Sequence, residues 1–185
     1  MAVTTLDAKS ALIVIDLQKG IVALPLSQDP QPVVARSAQL AAAFRAKNLP
    51  VVLVNVAGGA PGRTEQARHA GELPADWAQL VPEMTPQQGD IALTKYTWGA
   101  FHNTDLHHQL QQRGITQVVI CGIATSIGVE STARQAYESG YNVTLAVDAM
   151  ADLNADTHAN SIQRIFPRLG ETGTTEEILA RVNTL

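Results

Sequence analysis

The sequence is poor in the groups that most readily announce a function. One cysteine, Cys121, occurs in 185 residues, which excludes an intramolecular disulfide and fits a reducing compartment. Lysine and arginine (13) are outnumbered by aspartate and glutamate (17), for a formal net charge of −4. No basic stripe stands out, so nucleic acid is not an expected partner. The first apolar run, "ALIVI" (11–15), stops at Asp16 and is far too short to span a bilayer. "MAVTTLDAKS" lacks the apolar core of a secretory leader, so a cytoplasmic protein without a membrane partner is expected. No G-x-G-x-x-G follows the first apolar run, which removes the usual dinucleotide signal. Adjacent histidines at 107 and 108 point in different directions on a helix, and no second ligand cluster joins them or His102, so no metal site is expected.

What is present is ordinary globular composition, 45% hydrophobic and 16% charged, in a length suited to one domain over 1–185. Short branched apolar runs alternate with helical patterns. "ALIVID" (11–16), "PVVLVNV" (50–56), "DIALTK" (90–95), "TQVVICG" (116–122) and "YNVTLAVD" (141–148) read as strands, with a short "RLGE" (168–171) as a sixth. Helices are expected around 32–47, 104–113, 127–139 and 155–165, with a final one from about Thr174. Pro32 suits the start of the first; Asn103 or Thr104 caps the second, and Gly114 and Gly140 close the second and third. Val129, Ala133, Ala136 and Tyr137 form the inner face of the third. The fold class is therefore α/β: a Rossmann-like three-layer αβα sandwich on a mostly parallel sheet of about six strands.

Parallel sheets of this kind bind ligands beyond the carboxyl ends of their strands. Asp16, Lys95 and the stretch "GIATSIGVESTA" (122–133) fall there. The irregular stretch 57–89, rich in glycine and proline, reads as a lid or an interface over the same end. A carboxylate ending a buried strand is costly unless paired, and Lys95 is its natural partner. Cys121 lies inside a strand, where a thiol is an inert small hydrophobe. Tyr96, Trp98 and Phe101 cluster after Lys95 in a chain with only 4% aromatics and are expected to wall the pocket.

Asp16, Lys95 and the turn after Gly122 together resemble the isochorismatase-like hydrolase superfamily, which includes nicotinamidases, N-carbamoylsarcosine amidohydrolases and isochorismatases. The matching segments are "VIDLQ" (14–18), "TKYTWGAFHNTDL" (94–106), "VVICGIATSIGVESTARQAYESGYNV" (118–143) and "VDAM" (147–150), in the family's order. By this resemblance most members use an Asp–Lys–Cys triad. The first two positions fall on Asp16 and Lys95, and the cysteine position, in a pattern resembling G-I-x-T-x-x-C-V, falls on Gly128. Cys121 precedes the family's glycine, here Gly122, and is no displaced copy. The resemblance also implies a cis peptide between Ile123 and Ala124, with the N–H groups of Ala124 and Gly128 forming an oxyanion or anion site. It implies a homo-oligomer, at least a dimer, and requires no cofactor; the nicotinamidase metal ligands find no counterpart in 57–89.

Glycine at position 128 supplies no nucleophile, so amide hydrolysis through an acyl-enzyme is not expected. A vinyl ether can instead be opened by protonating its terminal carbon, with Asp16 as acid. The expected activity is hydrolysis of a small, anionic molecule without covalent catalysis. The competing reading is a disarmed, amidase-type pocket kept for binding or assembly. Gln18, Trp98, Phe101, Thr125, Ser126, Arg63 and Arg68 complete the expected pocket; the two arginines lie in "GGAPGRTEQAR" (58–68), which loosely resembles a carboxylate-binding loop. Isochorismate itself is disfavoured, because Ala124, Thr125 and Ser126 are closer to the amidase pattern and Val56 stands where isochorismatases resemble one another in a glutamine.

Overall fold

The computed structural model describes residues 3–66 and 72–185. Six strands, β1 (Ser10–Ile15), β2 (Val51–Val56), β3 (Ile91–Lys95), β4 (Gln117–Ile123), β5 (Asn142–Ala151) and β6 (Glu171–Gly173), form one sheet in the order β3-β2-β1-β4-β5-β6. Every pairing within it is parallel. The α-helices among the described residues are α1 (Lys19–Val22), α2 (Pro30–Ala46), α3 (Leu106–Gln112), α4 (Glu130–Glu138), α5 (Ala155–Asn160), α6 (Phe166–Leu169) and α7 (Thr175–Asn183). The chain leaves β1 toward one edge and returns to β4 on its other side, so the order reverses between these two strands. A ligand crevice opens at such a reversal, outside the carboxyl ends.

Alternation along β1 divides the core in two. Leu12 and Val14 join Val33, Leu40, Phe44, Ile178 and Val182 on one face, under α2 and α7. Ala11, Ile13 and Ile15 join Leu106, Leu110, Val129, Ala133 and Phe166 on the other, under α3 and α4. A strand buried on both faces must be apolar throughout, which is why "ALIVI" shows no polar alternation. Each large side chain fully withdrawn from water in these layers stabilises the fold by about 1.5–3 kcal/mol.

Local signals account for the helix boundaries. α2 begins earlier than Pro32 because Asp29 caps it, accepting the Gln31 N–H at 3.0 Å, with Pro30 in the first turn. The N-terminal end of α3 uses Thr104, whose hydroxyl accepts the Leu106 N–H at 3.3 Å. A capping box of Thr174 and Glu177 opens α7. The expected helix over 127–139 is in fact a π-helical turn, Thr125–Val129, running into α4, so the helical run starts earlier and its first turn is wide. Tyr137 is 53% exposed rather than on the inner face. The sixth strand begins at Glu171, where it pairs with Thr144, rather than at Arg168. No helix among the described residues is long and apolar enough to cross a membrane.

β4 lies hard against β1 at Gly122, which has φ +120° and pairs with Ile15. A Cβ there would lie 2.1 Å from the Ile15 carbonyl oxygen, and that backbone cannot retreat without opening the sheet. Gly122→Ala is therefore expected to cost about 3–4 kcal/mol, from left-handed strain and a backbone clash together. Urea denaturation measures this; a loss below about 1 kcal/mol would mean that the strands part freely here.

Candidate active site

The chain turns sharply where β1 ends. Asp16 takes a left-handed conformation, φ 52°, which aspartate tolerates better than most residues. Its N–H donates to the Val54 carbonyl at 2.9 Å, which keeps the turn in register with β2. The carboxylate is thereby carried to the crevice, where Lys95, the last residue of β3, meets it: Nζ lies 2.8 Å from Oδ2. Asp16 is 4% exposed and Lys95 1%. The ammonium also donates to the Thr97 carbonyl at 3.1 Å. The other carboxylate oxygen, Oδ1, is buried with no hydrogen-bond partner among the described residues.

Burial and pairing oppose one another at Asp16. Desolvation disfavours the carboxylate, while the Lys95 charge and hydrogen bond favour it; burial prevails and its pKa is pushed up to about 6. Cys121 is fully buried inside β4, and burial pushes its thiol up to about 12. Its position and acidity match those of an inert core residue.

The peptide between Ile123 and Ala124 is cis, and the turn that follows brings Ala124, Ile127 and Gly128 to the pocket. The cavity, about 210 Å³, is lined by Asp16 and Lys95 and by apolar groups including Ile21, Leu24, Trp77, Trp98 and Leu153. Asp16, Lys95, Ala124, Gly128 and Trp98 are thus brought together at one cavity.

The remaining expected pocket residues are placed elsewhere. Gln18 is fully buried and works as a clamp: its side chain accepts from the Val56 N–H at 2.7 Å and donates to the Val56 and Trp77 carbonyls. Thr125 points behind the turn, to the Ala151 carbonyl at 3.1 Å and His158 Nδ1 at 2.8 Å. Ser126 is absent from the lining and offers its N–H to Asp152 at 2.6 Å. Phe101 packs against Tyr141, ring centroids 5.9 Å apart, on the α3 side of the sheet. Tyr96 is 62% exposed and lies over Gly58. Arg63 is exposed and does not line the cavity; Arg68 lies outside the described residues. His107 meets Tyr141 and His108 meets Gln112, and no group of metal ligands forms among the described residues.

Trp77, Ile21, Leu24 and Leu153 are wall residues that sequence reasoning did not find. They belong to segments without periodicity, or, for Ile21, to the four-residue α1. Trp77 carried a signal: it is one of two tryptophans, and a Cβ on Gly20 would strike its ring at 2.0 Å, so glycine there lets the indole lie on the backbone.

Residues 10–177 match the isochorismatase domain family. YwoC, an isochorismatase family protein of Bacillus subtilis (strain 168), is 49% identical over 181 residues, covering 94% of each chain. YecD of Escherichia coli O157:H7, of the same family, is 45% identical over 185 residues, covering 94% of this chain and 97% of that one. The solved structure of an isochorismatase family protein from Burkholderia thailandensis is similar at a TM-score of 0.91 and 42% identity, over 97% of this chain and 98% of that one.

Gly128 stands where a side chain would be crowded. A Cβ at this position would lie 2.9 Å from the Ile15 Cγ2 methyl and 3.2 Å from Asp16 Oδ2. That methyl belongs to a β-branched residue in a buried strand and has little freedom to move. Overpacking of this order costs about 1–3 kcal/mol, partly offset by up to about 1 kcal/mol of regained helix propensity. Gly128→Ala and Gly128→Cys are expected to lower stability by about 1 kcal/mol in chemical denaturation; a gain in stability would show that the site has room for a side chain.

Proposed function

The chain belongs to the isochorismatase family, and we propose that it is a hydrolase in which Asp16 acts as a general acid on a small molecule bearing a vinyl ether, without a covalent intermediate. The observation that carries this reading is the Asp16 carboxyl itself: buried, poised near 6, and with Oδ1 free of partners among the described residues while Oδ2 faces Lys95. A group poised near the working pH is suited to give a proton and take it back.

In this mechanism the protonated Asp16 carboxyl gives its proton to the terminal vinyl carbon and leaves a carboxylate beside an oxocarbenium ion. Water adds to that ion and returns a proton to Asp16, and the hemiketal collapses to a carbonyl compound and an alcohol. Lys95 holds the conjugate base in place between steps. A carboxylate on the substrate would sit at the start of the helical run, against the backbone of Ala124 and Gly128, where the peptide dipoles favour negative charge. Such an anion also raises the pKa of Asp16 further, toward the protonation state the reaction needs. The apolar walls, Trp77 and Trp98 among them, would flank the uncharged part of the substrate. Absence of a thiol at 128 and crowding by Ile15 both argue against acyl transfer from that position.

A panel of isochorismate and simpler enolpyruvyl ethers, set against nicotinamide, carbamoyl and ureido compounds, tests the reaction class. Hydrolysis confined to the ethers is the expected result; cleavage of the amides by the native chain would overturn it, and silence toward both groups would assign the pocket to binding.

The pH dependence follows from the sign of the shift. Asp16 works in its protonated form, so kcat/KM, which reports the free enzyme, is expected to be level below about pH 6 and to fall roughly tenfold per unit above it. Asp16→Asn should lower kcat/KM at least about a thousandfold, since it removes the proton donor. Retention of a tenth of the activity, with the same alkaline limb, would exclude Asp16 as the acid.

A further inference from the structure

Behind the turn lies a second buried carboxylate that this proton transfer does not use. Asp152 follows β5 directly and is 2% exposed. Oδ2 accepts the Ser126 N–H at 2.6 Å, and Oδ1 accepts the Leu153 N–H at 2.8 Å and the Thr157 hydroxyl at 3.4 Å. Its own N–H donates to the Gln28 side chain at 2.9 Å, and its carbonyl accepts both the N–H and the hydroxyl of Ser27, at 2.7 and 2.8 Å. No ion pair joins Asp152 to a lysine or arginine among the described residues. N–H donors and the first turn of the helical run therefore compensate its charge.

Those bonds reach three separate walls of the cavity. Ser126 adjoins Ile127 and Gly128 in the turn, Leu153 is a lining residue, and Ser27 and Gln28 continue the segment that bears Leu24. Thr125 adds a fourth tie. The Ala151 carbonyl can only accept, so the Thr125 hydroxyl donates to it at 3.1 Å and accepts from His158 Nδ1 at 2.8 Å. Donation by Nδ1 assigns that proton to His158 and anchors the turn to α5.

We propose that Asp152 is a positioning residue of this site: one carboxylate and its flanking peptide hold the Gly128 turn, Leu153 and the Leu24 segment at the separation the reaction requires. The proposal rests on the reading of this pocket as the place of reaction, because position matters to rate only there. A shift of about an ångström in such a support is enough to lower the rate without releasing the substrate.

Amide hydrogen exchange, read residue by residue in Asp152→Ala, tests the anchoring, and steady-state kinetics on the best vinyl ether of the panel tests its consequence. Exchange at Ser126 and Leu153, whose N–H groups lose the carboxylate, is expected to quicken at least about tenfold, while Val52, Leu53 and Val54 in β2 stay within about twofold of native. The expected kinetic change is roughly a tenfold to hundredfold fall in kcat with KM within about threefold. Asp152→Asn, which keeps one acceptor, should fall between the two and carries the same test if the alanine variant does not accumulate. Thr125→Ser should restore what Thr125→Val loses, because the hydroxyl and not the methyl makes the tie. Unchanged exchange at Ser126, uniform acceleration that includes β2, or a native kcat in the loosened protein would each overturn the proposal. If the native chain cleaves no vinyl ether, the acid mechanism fails by itself, and the exchange pattern still decides whether Asp152 anchors the turn.

Discussion

An aspartate and a lysine 2.8 Å apart, both nearly out of water, are the constraint around which this fold is organised. Removing two charges from solvent costs several kcal/mol each, and their attraction returns that only while the geometry holds. The sheet holds it. Asp16 and Lys95 stand at the ends of strands separated by β2, so the side chains must converge across one strand to meet. Hydrogen bonds from the Asp16 N–H to Val54 and from the Ala57 N–H to the Lys95 carbonyl tie both backbones to that intervening strand and its continuation. Compensation at Asp16 is nonetheless incomplete, since burial outweighs pairing and leaves the carboxyl poised near neutrality. A stability-optimised pair would have had its remaining lone pairs satisfied; here one oxygen stays unpartnered among the described residues.

The glycines beside this pair serve proximity rather than flexibility. Gly122 lets β4 press against the Ile15 backbone, and Gly128 lets the next turn press against the Ile15 methyl and the Asp16 carboxylate. Ile15 is thus gripped from two directions, which places the helical start within a short reach of the Asp16 carboxyl. Ile15 and Asp16 fill the room that a side chain at position 128 would need. Gly128 thus fits a site shaped around the Asp16 carboxyl group.

The layers, the strand count and the carboxyl-end location of Asp16 and Lys95 were legible in the sequence because each rests on local pattern: branched apolar runs for two-faced burial, and a charged residue closing such a run. The wide turn at 125–129 was not legible, since its residues fit a helix of ordinary pitch equally well. Nor was the division of labour within it. "ATS" reads as a turn whose polar side chains face a ligand, whereas Thr125 and Ser126 face backward to Ala151, His158 and Asp152. These partners come from β5 and beyond, and no spacing rule connects them to the turn. Phe101 failed for a related reason: the aromatic cluster after Lys95 is split by the chain's path, with Trp98 at the pocket and Phe101 on the other side, against Tyr141. Gln18, buried as a bidentate clamp on Val56, looks like a ligand-binding amide until its partners are seen.

Charge placement across the turn explains how one helix start can serve both stability and chemistry. Its positive end faces two directions. Asp152 occupies the rear, where Ser126, Leu153 and Thr157 supply donors and the carboxylate remains buried. The front opens on a cavity whose other walls are apolar and whose one cation among the described lining residues, Lys95, is already engaged by Asp16. An anionic group entering there finds the dipole partly neutralised from behind, so its binding is moderated rather than maximised. Moderation suits the proposed reaction, which passes through a cation: a strongly positive site would hold a carboxylate tightly but oppose an oxocarbenium ion formed beside it. By balancing the helix start, Asp152 would keep a place for negative charge without imposing a field that the transition state of the proposed reaction would have to overcome.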